Sequence, residues 1–151
     1  MSWMIVRVRG TIHARHDVVE TLGFLHLNRP NHATVLPESP NVRGMLSKVQ
    51  GYVTWGEADA ETLGLLLAAR GETAEGTRLA AGSAPGGAAP AIPELAAKLA
   101  KGGLPAAAEL KPLFRLKAPK GGWRSTKKPY ALGGALGYRG RAVNDLVRKM
   151  I

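Results

Sequence analysis

Between Met4 and Glu57 the sequence predicts a fold that mixes strands and helices, in the order β-α-β-α-β, and three observations carry that prediction. Met4 to Arg9 alternates with the two-residue period of a strand. Two later stretches place apolar residues at helical spacing, and β-rich runs follow each of them. Asn, Pro, Ser and Gly punctuate every change of period.

In Met4 to Arg9, Met4, Val6 and Val8 share one face, with Ile5, Arg7 and Arg9 on the other, so a strand buried on one side is expected, with both arginines on its open face. Asp17 followed by Glu20 has the form of a capping box, and Val18, Leu22 and Leu25 then keep helical spacing until Asn28-Arg29-Pro30 ends the element. His32 to Leu36 is a second strand. Ser39 is placed to cap a second helix with Pro40 in its first turn, and Val42, Met45, Leu46 and Val49 form its buried stripe, leaving Arg43 and Lys48 outside it. Tyr52 to Glu57 is the third strand.

Asp59 opens a helix that turns Leu63, Leu66 and Leu67 inward and stops at Arg70-Gly71. From Ala80 to Pro93 the chain is almost entirely Ala, Gly and Pro, the composition of a linker. A short helix with Pro93 first, Leu95 and Leu99 inward and Gly102 as its stop follows. Phe114, Leu116 and Ala118 alternate with Arg115 and Lys117, which predicts a strand with an apolar and a cationic face. Pro119 to Gly140 reads as loop or hairpin, and Val143, Leu146, Val147 and Met150 return to helical spacing.

Composition bounds the function. The chain has 151 residues, enough for one domain with an appendage, and 45% hydrophobic residues, too many for global disorder. With no Cys it can form neither a disulfide nor a thiolate metal site, which fits a reducing compartment. The longest apolar run, Leu65 to Ala69, is far short of a membrane span, and Arg7 and Arg9 interrupt any signal-peptide core, so a soluble intracellular protein is expected.

Charge is unevenly placed. From Leu104 to Ile151 eleven Lys and Arg face two acids, Glu109 and Asp145, a surplus of nine out of a net charge of +10. A single lysine is usually a solvated surface group, but eleven cations in one segment attract a polyanion through counterion release. Gly, Pro, Trp123, Tyr130 and Tyr138 are interleaved with them, which suits RNA: glycine lets backbone approach phosphate, and aromatic rings either stack on bases or anchor the loop.

Other chemistries fit poorly. The four histidines, His13, His16, His26 and His32, come without carboxylates or cysteines at ligand spacing, so no metal and no cofactor is expected. The Gly133 to Gly140 block lacks the Lys-Ser/Thr ending of a nucleoside triphosphate loop and the dinucleotide fingerprint. Asp17 and Glu20 suit a helix cap better than acid–base work, and no catalytic residues are expected.

Three stretches carry a family resemblance: NRPNHATVLPESPNVRGMLSKVQGYVTWGE (Asn28 to Glu57), LKPLFRLKAPKGGW (Leu110 to Trp123) and KKPYALGGALGYRGRAVNDLVRKM (Lys127 to Met150). They are similar to the L-thirty family of large-subunit ribosomal proteins, in its longer archaeal form, related to eukaryotic L-seven. The helix with Arg43-Gly44-Met45 resembles the part shared with short bacterial members, and GGALGYRG resembles the archaeal and eukaryotic extension. The resemblance implies an α+β, ferredoxin-like β-α-β-α-β core whose antiparallel sheet is covered on one side by two helices. It also implies a structural, non-enzymatic place in the cytoplasmic ribosome, bound to large-subunit rRNA, beside neighbouring large-subunit proteins and, in archaeal members, near 5S rRNA.

The resulting expectation is an rRNA-binding core at residues 1–57, a helical segment with a linker at 58–103, and a basic extension packing on the core at 104–151. Arg7, Arg9, Arg29, His32, Arg43 and Lys48 are expected to contact RNA from the core. Lys111, Arg115, Lys117, Lys120, Arg124, Lys127, Lys128, Arg139 and Arg141 are expected to do so from the extension. Two rivals belong to other classes: an RNA-processing or RNA-modifying enzyme, which needs a pocket with perturbed acids, and a DNA architectural protein, which would prefer B-form DNA.

Overall fold

The computed structural model of the chain describes residues 1–72, 92–103 and 110–151. Its centre is strand β1 (Ser2–Arg7), which pairs antiparallel with β2 (His32–Pro37) on one side and β3 (Val53–Glu57) on the other, so that Met4 sits opposite both Val35 and Gly56. Helices α1 (His16–Phe24) and α2 (Pro40–Val49) connect these strands, giving the predicted β-α-β-α-β order. Two short strands complete a five-stranded sheet of order β4-β2-β1-β3-β5: β4 (Phe114–Arg115) runs antiparallel to β2, and β5 (Gly137–Tyr138) runs parallel to β3. The fold is α+β with a mixed sheet around an antiparallel three-strand core.

The sheet is covered on both sides rather than one. Trp3 and Ile5 pack with Val18, Leu22, Val42 and Leu46 of α1 and α2. Met4 and Val6 face the opposite layer, built from α3 (Ala60–Arg70), α4 (Ile92–Ala100) and α5 (Ala142–Met150), where Leu63, Leu66, Leu95, Leu99, Val143 and Val147 are buried. Every residue of β1 is therefore buried. The expectation that Arg7 lies on an open face is corrected here: its side chain is only 1% exposed beneath the α1–α2 layer. Its Nη1 donates to the Leu27 carbonyl at 2.7 Å and its Nε to the Arg9 carbonyl at 2.8 Å, and burial lowers its pKa from the ordinary value. Backbone carbonyls thus replace the water that a guanidinium loses on burial.

Local signals explain the helix starts unevenly. Ser39 caps α2 as expected, its hydroxyl accepting from the Val42 N–H at 3.2 Å, with Pro40 in the first turn. The capping box at Asp17 and Glu20 does not form. Helix α1 begins two residues earlier, with Arg15 at the cap position, and the Asp17 carboxylate accepts instead from the N–H of Val18 and pairs with Arg15 and Lys48. On α2, Leu46 is buried as predicted, but Met45 is only half-buried at the rim of its cluster. Helix α4 begins at Ile92, one residue before Pro93, and most of the predicted linker, residues 80–91, lies outside the described residues.

Besides the pairing of β4 and β5, contacts at Asn144 and Gly56 bind the C-terminal part to the sheet. Asn144, buried, donates to the Glu57 and Arg141 carbonyls and accepts from the Asp59 N–H, each at 3.0 Å, which fixes the start of α5 against the end of β3. At Gly56 the turn before α5 comes so close that an added Cβ would run into the Gly140 carbonyl and meet the Val143 side chain. Among the described residues no helix is long and apolar enough to cross a membrane.

Candidate nucleic-acid interface

The basic surface is built on the C-terminus of α5 and the outer side of β5. The chain after β4 runs along the helix end: Lys117 N–H donates to the Met150 carbonyl at 3.0 Å and Lys120 N–H to the Lys149 carbonyl at 3.1 Å. Lys117, Lys120 and Lys149 thereby gather where the helix dipole is negative, which eases the crowding of like charges. Gly121 and Gly122 follow with φ of 83° and 77°, left-handed backbone that turns the chain outward without steric cost. Arg124, Lys127 and Lys128, all exposed, lie on that outward loop.

The loop is pinned from within. The Lys128 carbonyl accepts from both Ala135 (3.1 Å) and Leu136 (3.3 Å), and the Ser125 carbonyl accepts from Ala135 at 3.0 Å. Gly134 is buried so tightly here that a Cβ would collide with the Lys128 carbonyl. Tyr130 to Leu132 forms a single 3-10 turn, and Gly133 ends it with φ of 84°. Beyond β5, Arg139 N–H donates to the Trp55 carbonyl at 2.9 Å, which ties the loop's far end to β3.

Arg139 is the most constrained cation of this surface. Its Nε donates to Thr54 Oγ1 at 2.7 Å, its Nη2 donates to the Ala135 carbonyl at 2.8 Å, and its guanidinium lies 4.8 Å over the Tyr130 ring. Burial lowers its pKa from the ordinary value, the nearby Arg124 charge lowers it further, and Tyr130 acts the other way. Next to it the Tyr138 hydroxyl donates to the Glu57 carboxylate, a bond that raises the phenol's pKa, while its ring leans on Trp55 with centroids 6.4 Å apart.

The other predicted contact residues divide by partner. Lys111 is half-buried and pairs with Glu72 at 3.4 Å; Arg43 pairs with Glu38 at 3.0 Å while lying 5.7 Å over the Trp3 ring; Lys48 pairs with Asp17 at 3.7 Å. Arg115, Lys117, Lys120, Arg124, Lys127, Lys128, Arg139 and Arg141 have no carboxylate partner among the described residues. Arg9, half-buried, lies 5.3 Å over the Tyr52 ring. His32 is directly opposite Arg115 across β2 and β4, with Arg29 at the entry to β2. Burial lowers the His32 pKa, and the charges of Arg115, Arg29 and Arg7 lower it further, so one cationic group is assembled from distant parts of the chain. Arg43 and Lys48 lie on α2, whose layer is across the sheet from α5 and its lysines.

Sequence reasoning passed over Lys149. It lies off the apolar stripe of α5, and its position beside Lys120 depends on a backbone pairing that no local pattern announces. Among the described residues no group of three or more His, Asp or Glu is arranged to hold a metal ion.

Comparison with known proteins decides the family. The family model described as Ribosomal protein L30p/L7e matches residues 3–53. The large ribosomal subunit protein uL30 of Methanococcus vannielii is 40% identical over 154 aligned positions that cover the whole of both chains. This chain belongs to the L30p/L7e family. The uL30 proteins of Methanopyrus kandleri (40% identical, covering 95% of this chain and all of that one) and Nanoarchaeum equitans (36%, covering 99% and 98%) extend the likeness across archaea. The L30p/L7e model ends inside β3, whereas the full-length uL30 relatives also span the cationic loop and α5.

Proposed function

We propose that this chain is a structural, non-catalytic constituent of the large ribosomal subunit, holding rRNA through phosphate neutralisation. Membership of the family supports the ribosome, and one observation supports the mode of binding: eight cations between Arg115 and Arg141 have no carboxylate partner among the described residues. Cations without a carboxylate partner, all of them exposed except half-buried Arg139, can neutralise phosphates without first breaking an ion pair. Arg9, Arg29, His32, Arg43 and Lys48 add contacts from the core, with Lys111 the weakest of the extension because Glu72 already holds it. Buried Arg7 serves the fold. The cytoplasmic ribosome is then its location, with large-subunit rRNA and neighbouring large-subunit proteins as partners, and 5S rRNA as the finer proposal.

Co-sedimentation tests this. Tagged chain should travel with large subunits through a gradient, and Lys127→Gln combined with Lys128→Gln should release it at lower salt than the unaltered chain. Failure to join large subunits, or a preference for B-form DNA over large-subunit rRNA, overturns the reading.

A further inference from the structure

Between the outward loop and α5 lies a cavity of about 240 Å³, small beside the ~300–1,000 Å³ of sites that enclose a drug-sized molecule. Its walls bring Trp123, Tyr130 and Arg139 together with Lys120 and Lys149, and Asp145 is the acid among its described lining residues. Arg139 is held by neutral acceptors through Nε and Nη2, while its Nη1 has no acceptor among the described residues. With two of its nitrogens held and Nη1 left over, this guanidinium keeps a charged donor that an anion entering the cavity can accept from.

The mixture of groups narrows the ligand. A bare phosphate would satisfy the cations but would meet the Asp145 carboxylate with like charge, and it would leave without a partner the part of the Trp123 ring that does not pack against the core clusters. A nucleobase offers both a face for the indole and N–H donors for a carboxylate. We infer that this cavity takes one unpaired nucleotide of the bound RNA, its base against Trp123 and its phosphate among Lys120, Lys149 and Arg139. The inference rests on the rRNA reading above and adds to it a site that distinguishes bases from backbone. The site is preformed: Gly134 locks the Tyr130 turn against Lys128, and Thr54 with Ala135 holds Arg139 over Tyr130. Gly122 lines the cavity with left-handed backbone and nothing within 4 Å of where a Cβ would stand, leaving open space for an RNA strand.

The test compares a short oligoadenylate with a strand of equal length and charge from which the bases are removed, each titrated into the full chain. One stacked base should make the oligoadenylate bind roughly 5- to 150-fold tighter. Trp123→Leu, which keeps apolar bulk but no aromatic face, should abolish that difference while leaving the abasic strand's affinity and salt dependence unchanged. Trp123→Phe should keep most of it, and covers the case in which the leucine variant fails to fold. Lys149→Gln should weaken both strands alike. If the unaltered chain binds the two strands equally or binds neither, or if Trp123→Leu weakens both by the same factor, the nucleotide site is wrong. A chain that still joins large subunits while showing equal binding fails on this inference alone; one that does not join them fails on the broader reading.

Discussion

Salt and charge removal together give the sharpest test of how the basic surface works. If six of the eight unpaired cations engage phosphates, the slope of log affinity against log salt should lie at roughly −4 to −5, taking about 0.7 to 0.9 per contact. Between 50 and 200 mM salt, affinity for a large-subunit rRNA fragment should then fall roughly 300- to 2,000-fold. Replacing Lys127 and Lys128 by Gln removes two contacts, so the slope should flatten by about 1.4 to 1.8. Lys111→Gln should change the slope far less, because Glu72 already lies 3.4 Å from that ammonium and must be displaced before a phosphate can take its place. Filter binding or fluorescence anisotropy across a salt series reads all three slopes. A flat salt dependence refutes phosphate neutralisation, and a larger effect at Lys111 than at the Lys127–Lys128 pair refutes the claim that the existing ion pairs rank the cations.

Three further outcomes follow from packing and titration. Leu46→Ala should cost about 2–5 kcal/mol, and Met45→Ala on the same helix clearly less because its side chain is only half-buried; thermal melts that reverse this order would mean that the α2 face is misassigned. Gly56→Ala should cost about 1–3 kcal/mol by overpacking against the Gly140 carbonyl, lowering the melting temperature by roughly 2–12 °C and weakening rRNA binding as the Arg139 turn is displaced, so an unchanged melt would contradict the close approach. His32 favours its neutral form in the fold, so the unfolded chain takes up the proton first and stability should fall as pH drops below about 6.5 toward the lower folded value. Melting curves between pH 7.5 and 5 should show that decline reduced in Arg115→Gln, which removes the largest of the repelling charges, and identical profiles would mean that Arg115 does not act on the imidazole.

Much of the core could be read from the sequence because its determinants are local. Ser39-Pro40 announces α2, and the Leu63, Leu66, Leu67 and Val143, Leu146, Val147 spacings announce the buried sides of α3 and α5. The error at Arg7 came from a rule that charged residues mark the solvated side of a strand. Trp3 and Ile5 on that same side were the opposing signal, and the carbonyls that receive the guanidinium come from Arg9 and from distant Leu27, invisible in a period-two pattern. Asp17 misled for a similar reason, since a carboxylate inside a first helical turn resembles one at the cap. Of the interface, sequence showed which residues are cationic but not which were already partnered. That distinction depends on Glu38 and Asp17, which lie in segments read for other purposes, and on Glu72, which lies just past the predicted end of a helix in a stretch with no pattern of its own.

Strands β4 and β5 contain two residues each, yet they occupy the two outermost positions of the sheet. Without them β2 and β3 would each present a free row of N–H and C=O groups, the template on which other chains add strands and aggregate. The C-terminal segment therefore covers part of each margin of the core, at His32–Ala33 and Thr54–Trp55, and Arg115 on one margin with Arg139 just beyond the other adds charge that repels an incoming strand. On the proposed reading, the same cations that would meet phosphate also discourage strand pairing between free chains. Truncation before Phe114 should accordingly cost solubility as well as rRNA affinity, because it would uncover both margins at once.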